Sequence, residues 1–143
     1  MLGALNPISL EVVTVENTSY VNANTVCEML EKLAAKSELS VTVALDNAKY
    51  QRCELVRERA RKLGVELLFL PSYSPQLNLI ERYWRLVKKE CLYCKYYPTF
   101  SSFQTAISEF IAVSSTQYHE QMKSLLTLKF QTFGDVKILA GNT

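Results

Sequence analysis

The sequence predicts an α/β layer structure with at least two parallel strands. Three observations support this. A Val- and Thr-rich segment opens the chain as a hairpin. Two short apolar runs, Ser40–Leu45 and Val65–Leu70, have strand length and composition. Segments with apolar residues at helical spacing separate and follow those runs. Right-handed crossovers would then bring the C-terminal ends of the parallel strands to one sheet edge, where ligand chemistry gathers in such folds.

Taken in order, Leu2 to Leu5 reads as a strand, Asn6-Pro7 as a turn and Leu10 to Val15 as the returning strand. Asn22 or Asn24 caps a helix that runs to about Lys36 with Val26, Met29, Leu30 and Leu33 on one face. Ser40 to Leu45 ends at Asp46 and reads as a strand buried on both faces. Residues 51–63 form a basic helix carrying Leu55, Val56 and Leu63, stopped by Gly64. Val65 to Leu70 is a second buried strand ended by Pro71, and a proline-bracketed loop follows to Gln76. A helix begins near Leu77–Asn78 with Ile80, Trp84 and Val87. Another is capped by Thr99 or Ser101 with Phe103, Ile107, Phe110 and Ile111, and a last one spans about Tyr118 to Leu126. Val136 to Ala140 has strand character. No repeat or linker divides the chain, so one domain is expected, with a core over about 1–92 and C-terminal helices and tail over about 99–143.

The bulk numbers narrow the class. With 143 residues, 48% apolar and 21% charged, the chain can bury a core and is not of disordered type. No apolar run approaches the ~20 residues that span a bilayer, and the first residues lack a signal-peptide pattern, so a cytoplasmic chain without membrane contact is expected. Cys91 and Cys94 have zinc-type spacing, but no second pair exists and His119 is far off, so reduced thiols are expected. A net charge of +2 does not by itself imply nucleic acid. Its distribution is more telling: Arg52, Arg57, Arg59, Arg61 and Lys62 crowd one segment, and Arg82, Arg85, Lys88 and Lys89 another. Such runs are ordinarily solvated helix faces.

Asp46 ends one strand, and Glu81 lies in the first turns of the helix after the next strand and loop. Topology therefore brings two carboxylates to one edge. Oxygen donors of this kind suit Mg²⁺ or Mn²⁺, which can serve phosphodiester chemistry. Each acid also has a plain alternative: Asp46 capping a turn, or Glu81 favoured at a helix start by the dipole.

The stretches Leu45-Asp46-Asn47-Ala48 and Leu67-Leu68-Phe69-Leu70-Pro71-Ser72-Tyr73-Ser74-Pro75-Gln76-Leu77-Asn78-Leu79-Ile80-Glu81-Arg82-Tyr83-Trp84 closely resemble DDE-type transposases of bacterial insertion sequences in the mariner-like superfamily. The similarity runs through the helix ending near Lys89 and more weakly to Phe133. This resemblance implies a ribonuclease-H-like mixed sheet flanked by helices, and DNA as substrate. It implies Mg²⁺- or Mn²⁺-dependent hydrolysis of one DNA strand, then attack of the freed 3′-hydroxyl on target DNA. Asp46 and Glu81 would correspond to the family's second and third catalytic, metal-binding acids. Asn47, Tyr73, Pro75 and Asn78 would shape the site, and Trp84, on nearly the same helical face as Glu81, would turn to the sheet. Arg52, Arg57, Arg61, Arg82, Arg85 and Lys88 lie on the adjoining helices, where a phosphate backbone would pass.

Met1 falls inside what resembles the family's second strand, so the family's first, central strand and its aspartate are expected to be absent. A metal site short of one carboxylate should bind metal weakly. Glu11, Glu16 and Asp135 are the spare acids. An empty central position leaves two strand edges unpaired. The hairpin strand, the Val136–Ala140 tail or a second copy of the chain would fill it, which favours a homodimer by strand exchange. Three readings follow: an impaired transposase fragment, a non-enzymatic DNA-binding or oligomerisation module that could engage full-length transposase, or a nuclease whose missing carboxylate comes from another chain.

Overall fold

A computed structural model describes residues 1–17, 20–72, 74 and 77–127. The opening hairpin forms as expected: β1 (Leu2–Leu5) and β2 (Val12–Val15) pair antiparallel, with Leu2 opposite Val15 and Leu5 opposite Val12. Asn6 closes its turn by accepting the backbone N–H groups of Ile8 and Ser9 at 2.9 and 3.1 Å, the local mimicry that makes Asn a turn former. Helix α1 (Ala23–Lys36) starts at Asn22, whose side chain and that of Thr25 cap each other's backbone. Its expected face, Val26, Met29, Leu30 and Leu33, is buried.

Strand β3 (Val41–Leu45) lies parallel to β4 (Val65–Phe69), with Val43 opposite Leu67. The connecting α2 (Glu54–Leu63) buries Val56 and Ala60 and ends on Gly64 at φ 70°, the left-handed stop that the sequence indicated. Leu55, by contrast, is exposed. Helix α3 (Leu79–Cys91) is capped by Asn78, α4 (Phe100–Gln117) by a Thr99–Ser102 box, and α5 (His119–Leu125) follows.

Two expectations about the strands are corrected. Burial alternates along the start of β3 and in β4 is complete only at Val65, so neither strand is covered on both faces. Val41, Val43 and Val65 are buried with α1 and α2, whereas Thr42, Ala44 and Leu68 are half-buried and Glu66 is exposed. One helix layer covers one face of a two-stranded sheet, so only alternate residues are sealed. Nor does the hairpin shift against β3: among the described residues, β1–β2 and β3–β4 are separate two-stranded sheets. The expected Val136–Ala140 strand lies outside the described residues. A second apolar cluster joins Leu5 and Leu10 to α3, α4 and α5 through Tyr83, Leu86, Val87, Phe110 and Met122.

Candidate metal site and nucleic-acid surface

A cleft of about 250 Å³ opens between the two sheets, floored by α1 and α3. Leu2 to Leu5 of β1 and Val43 to Leu45 of β3 line opposite sides, and Asp46, Asn78 and Glu81 lie on its border. Asp46 leaves the end of β3, and Glu81 is exposed in the first turn of α3. One side chain ties these elements together. Asn78 Nδ2 donates to Asp46 Oδ1 at 2.8 Å, while Asn78 Oδ1 accepts from the Ile80 backbone N–H at 3.3 Å. The residue that starts the glutamate-bearing helix thus also holds the aspartate, a charge-assisted contact of the stronger kind.

Asn47 Nδ2 donates to Ser72 Oγ at 3.4 Å, and its Oδ1 is buried with no hydrogen-bond partner among the described residues. Such an orphaned acceptor beside a carboxylate calls for a cation or a water. Tyr73 and Pro75 lie outside the described residues. The spare acids do not help: Glu11 faces Lys36 at 3.8 Å, Glu16 accepts from Ser108 Oγ at 3.0 Å, and Asp135 is not described. No group of three His, Cys, Asp or Glu side chains gathers among the described residues. Among the described residues the candidate donors are all oxygen, a type that suits a hard divalent ion completed by water and substrate oxygens.

Sequence reasoning missed three neighbours. Tyr50 lines the cleft, and burial first, then the Asp46 charge, pushes its hydroxyl pKa up against a lowering contact with Gln51, so it stays protonated. Buried Gln51 Oε1 accepts the Ala48 N–H and shapes the loop after Asp46. Gly3 is pressed against Trp84: a Cβ there would meet the indole at 2.5 Å. Tyr50 and Gln51 lie in a loop and carry no periodic signal, and a strand glycine such as Gly3 has no side chain to show what it packs against.

The basic residues divide. Arg57 lies 5.7 Å over the Phe69 ring, Arg61 faces Glu54 at 3.8 Å, and Arg82 donates to the Leu125 and Thr127 carbonyls at the end of α5. Arg59 pairs with Glu31 and Lys62 with Glu58. Arg52 borders a depression with Asp46, Asn47 and Ser72. Arg85, Lys88 and Lys89 are exposed and have no ion-pair or hydrogen-bond partner among the described residues.

Residues 1–104 match the family model described as DDE superfamily endonuclease. The chain belongs to that family. The match covers both half-sheets, all of α3 and the start of α4 in this endonuclease domain, and with them Asp46, Asn78 and Glu81. The family implies a ribonuclease-H-like fold, metal dependence and a DNA substrate. Among curated proteins, none matches the domain significantly. No helix among the described residues is long and apolar enough to cross a membrane.

Proposed function

We propose that this domain is a transposase catalytic unit whose chemistry is metal-dependent DNA strand cleavage and transfer, with Asp46 and Glu81 as its catalytic carboxylates. The observation that carries the reading is the Asn78 bridge, which ties the Asp46 carboxylate to the start of the helix bearing Glu81 on one cleft border. Asp46 and Glu81 would hold Mg²⁺ or Mn²⁺, with Asn47 Oδ1 close by for water or cation. When bound, the metal would activate the attacking oxygen and stabilise the leaving one. In hydrolysis a water oxygen bonds to phosphorus, the P–O3′ bond breaks, and the 3′ oxygen leaves as a hydroxyl. In transfer that hydroxyl oxygen bonds to a target phosphorus, the target's own P–O3′ bond breaks, and its 3′ oxygen leaves as a hydroxyl. Asp46, fixed at a strand end, gives the rigid half of the site, and Asn78 keeps it from rotating away.

Two acids where two-ion chemistry uses more make the domain weak by itself. Residues of both β1 and β3 line the cleft, and a strand inserted there from a second copy or from a full-length transposase could bring a third carboxylate. On this reading 1–143 is one unit and a strand-exchanged homodimer is its working form. A second reading, a non-enzymatic DNA-binding module, is favoured by Arg85, Lys88 and Lys89, which have no partner among the described residues and would hold phosphate whether or not a strand is cut. Mn²⁺-dependent nicking of supercoiled plasmid separates the two. Cutting that disappears in Asp46→Ala and in Glu81→Ala supports the catalytic reading. Equal cutting by all three proteins, or none by any, removes it for the isolated domain.

A further inference from the structure

We propose that the turn between α3 and α4 is a stacking platform for unpaired DNA bases, served by a phosphate track along α3; it rests on the reading of this domain as one that works on DNA. Leu79, Tyr83, Leu86, Val87 and Cys91 are the buried face of α3, and that fixes which face looks outward. Glu81, Arg85, Lys88 and Lys89 are exposed at spacings of one helical stripe. The three cations have no partner among the described residues, which sets them apart from the paired basic residues of α2. From Glu81 to Lys89 the stripe covers about 12 Å.

At its far end the chain turns outward instead of burying its rings. Tyr93 is 65%, Tyr96 86% and Phe100 74% exposed. The turn that presents the two tyrosines, with Phe100 opening α4 beyond it, is pinned: Lys95 Nζ donates to the Glu90 carbonyl at 2.6 Å, Tyr97 Oη donates to the Cys91 carbonyl at 2.5 Å, and Tyr97 meets Phe103 edge-on at 5.6 Å. Thr99 then caps α4. Exposed rings on an anchored turn mark a contact surface. Cations without a partner among the described residues, on the helix that leads into this turn, select a polyanion, and ring faces at the end of a cationic track are what a single strand with accessible bases fits. A duplex keeps its base faces stacked inside. Strand cleavage and transfer create unpaired flanks, and a flank leaving Glu81 along the basic stripe would reach these rings.

The test is fluorescence anisotropy of the full chain with labelled oligothymidylate, an abasic phosphodiester strand of equal length, and a duplex. Replacing Tyr93, Tyr96 and Phe100 together by Ala should weaken oligothymidylate binding roughly tenfold or more and leave the abasic strand within about twofold. Replacing Arg85, Lys88 and Lys89 by Gln should weaken all three ligands. Tyr96→Leu alone, at a position too exposed to threaten folding, should weaken oligothymidylate and serves if the triple variant misfolds. Unchanged oligothymidylate binding, or equal loss on the abasic strand, overturns the proposal. So does a wild-type dimer that the triple variant converts to monomer by light scattering without loss of base-dependent binding, since the rings would then serve a protein interface. Absent nicking with intact base-dependent binding would remove the catalytic reading alone, whereas nicking without base-dependent binding would remove this one.

Discussion

Two residues illustrate how much of this fold depends on single contacts. Asn78 caps α3 and restrains Asp46 at once, so Asn78→Ala should cost about 1 kcal/mol in urea unfolding, the usual loss of an N-cap. The same change should lower metal-dependent nicking more than it lowers oligonucleotide affinity, because it frees a carboxylate and leaves the basic stripe untouched. Gly3 is constrained by space: its missing Cβ is where the Trp84 indole sits. Gly3→Val should displace that ring and destabilise the domain by about 1–3 kcal/mol, as overpacking does. A lower denaturation midpoint, together with altered tryptophan fluorescence from the single indole, would register it.

Among elements, the seam between α3 and α4 depends on one polar pair inside an apolar cluster. Tyr83, wholly buried, meets Ser114 Oγ at 2.9 Å, and Ser114 in turn donates to the Ile111 carbonyl at 3.1 Å. Tyr83→Phe should cost about 1 kcal/mol. Burial, partly offset by the Ser114 contact, raises the Tyr83 pKa above the unfolded value of about 10. Folding therefore stabilises the neutral phenol: its contribution is complete below about pH 10 and is lost as pH climbs through the folded value. Denaturation midpoints should fall above pH 10, and Tyr83→Phe should flatten that fall. The turn beyond α3 holds Cys94 at φ 60°, a left-handed conformation costly for a side chain. Cys94→Gly should raise stability by about 1 kcal/mol, and a lower melting temperature would contradict the assignment.

At the scale of the whole molecule, two half-sheets face each other across a cleft. If a strand from a second copy closes that gap, the β1 and β3 edges should gain amide-exchange protection as concentration rises, with a dimer mass by light scattering. A monomeric mass at all concentrations would eliminate exchange. Much of this architecture was legible beforehand. The capping Asn22 and Thr99, the Gly64 stop and the apolar spacing of α1 and α4 set element bounds closely, because capping and periodicity are local physics. Asp46 and Glu81 were also readable, since strand ends and helix starts follow from the same signals. The single-sided burial of β3 and β4 was not, because Val-Thr-Val-Ala-Leu reads the same with one covered face as with two. Tyr83 was missed for a related reason: its hydrogen-bond partner, Ser114, is distant in sequence. The engagement of Arg57, Arg61 and Arg82 could not be told from the lack of partners for Arg85 and Lys88 among the described residues, since charge counts do not reveal partners.

The Asn78 amide shows its nitrogen to a carboxylate and its oxygen to a backbone N–H, so it has a right way round. Deamidation, the slow loss of that nitrogen as a protein ages, would turn it into an aspartate. Aspartate caps helices as well as asparagine does, so α3 would keep its start. The new negative charge, however, would stand against Asp46 where a donor had been. Stored protein would then lose the proposed site while keeping its shape, and freshness would become a variable in every activity measurement.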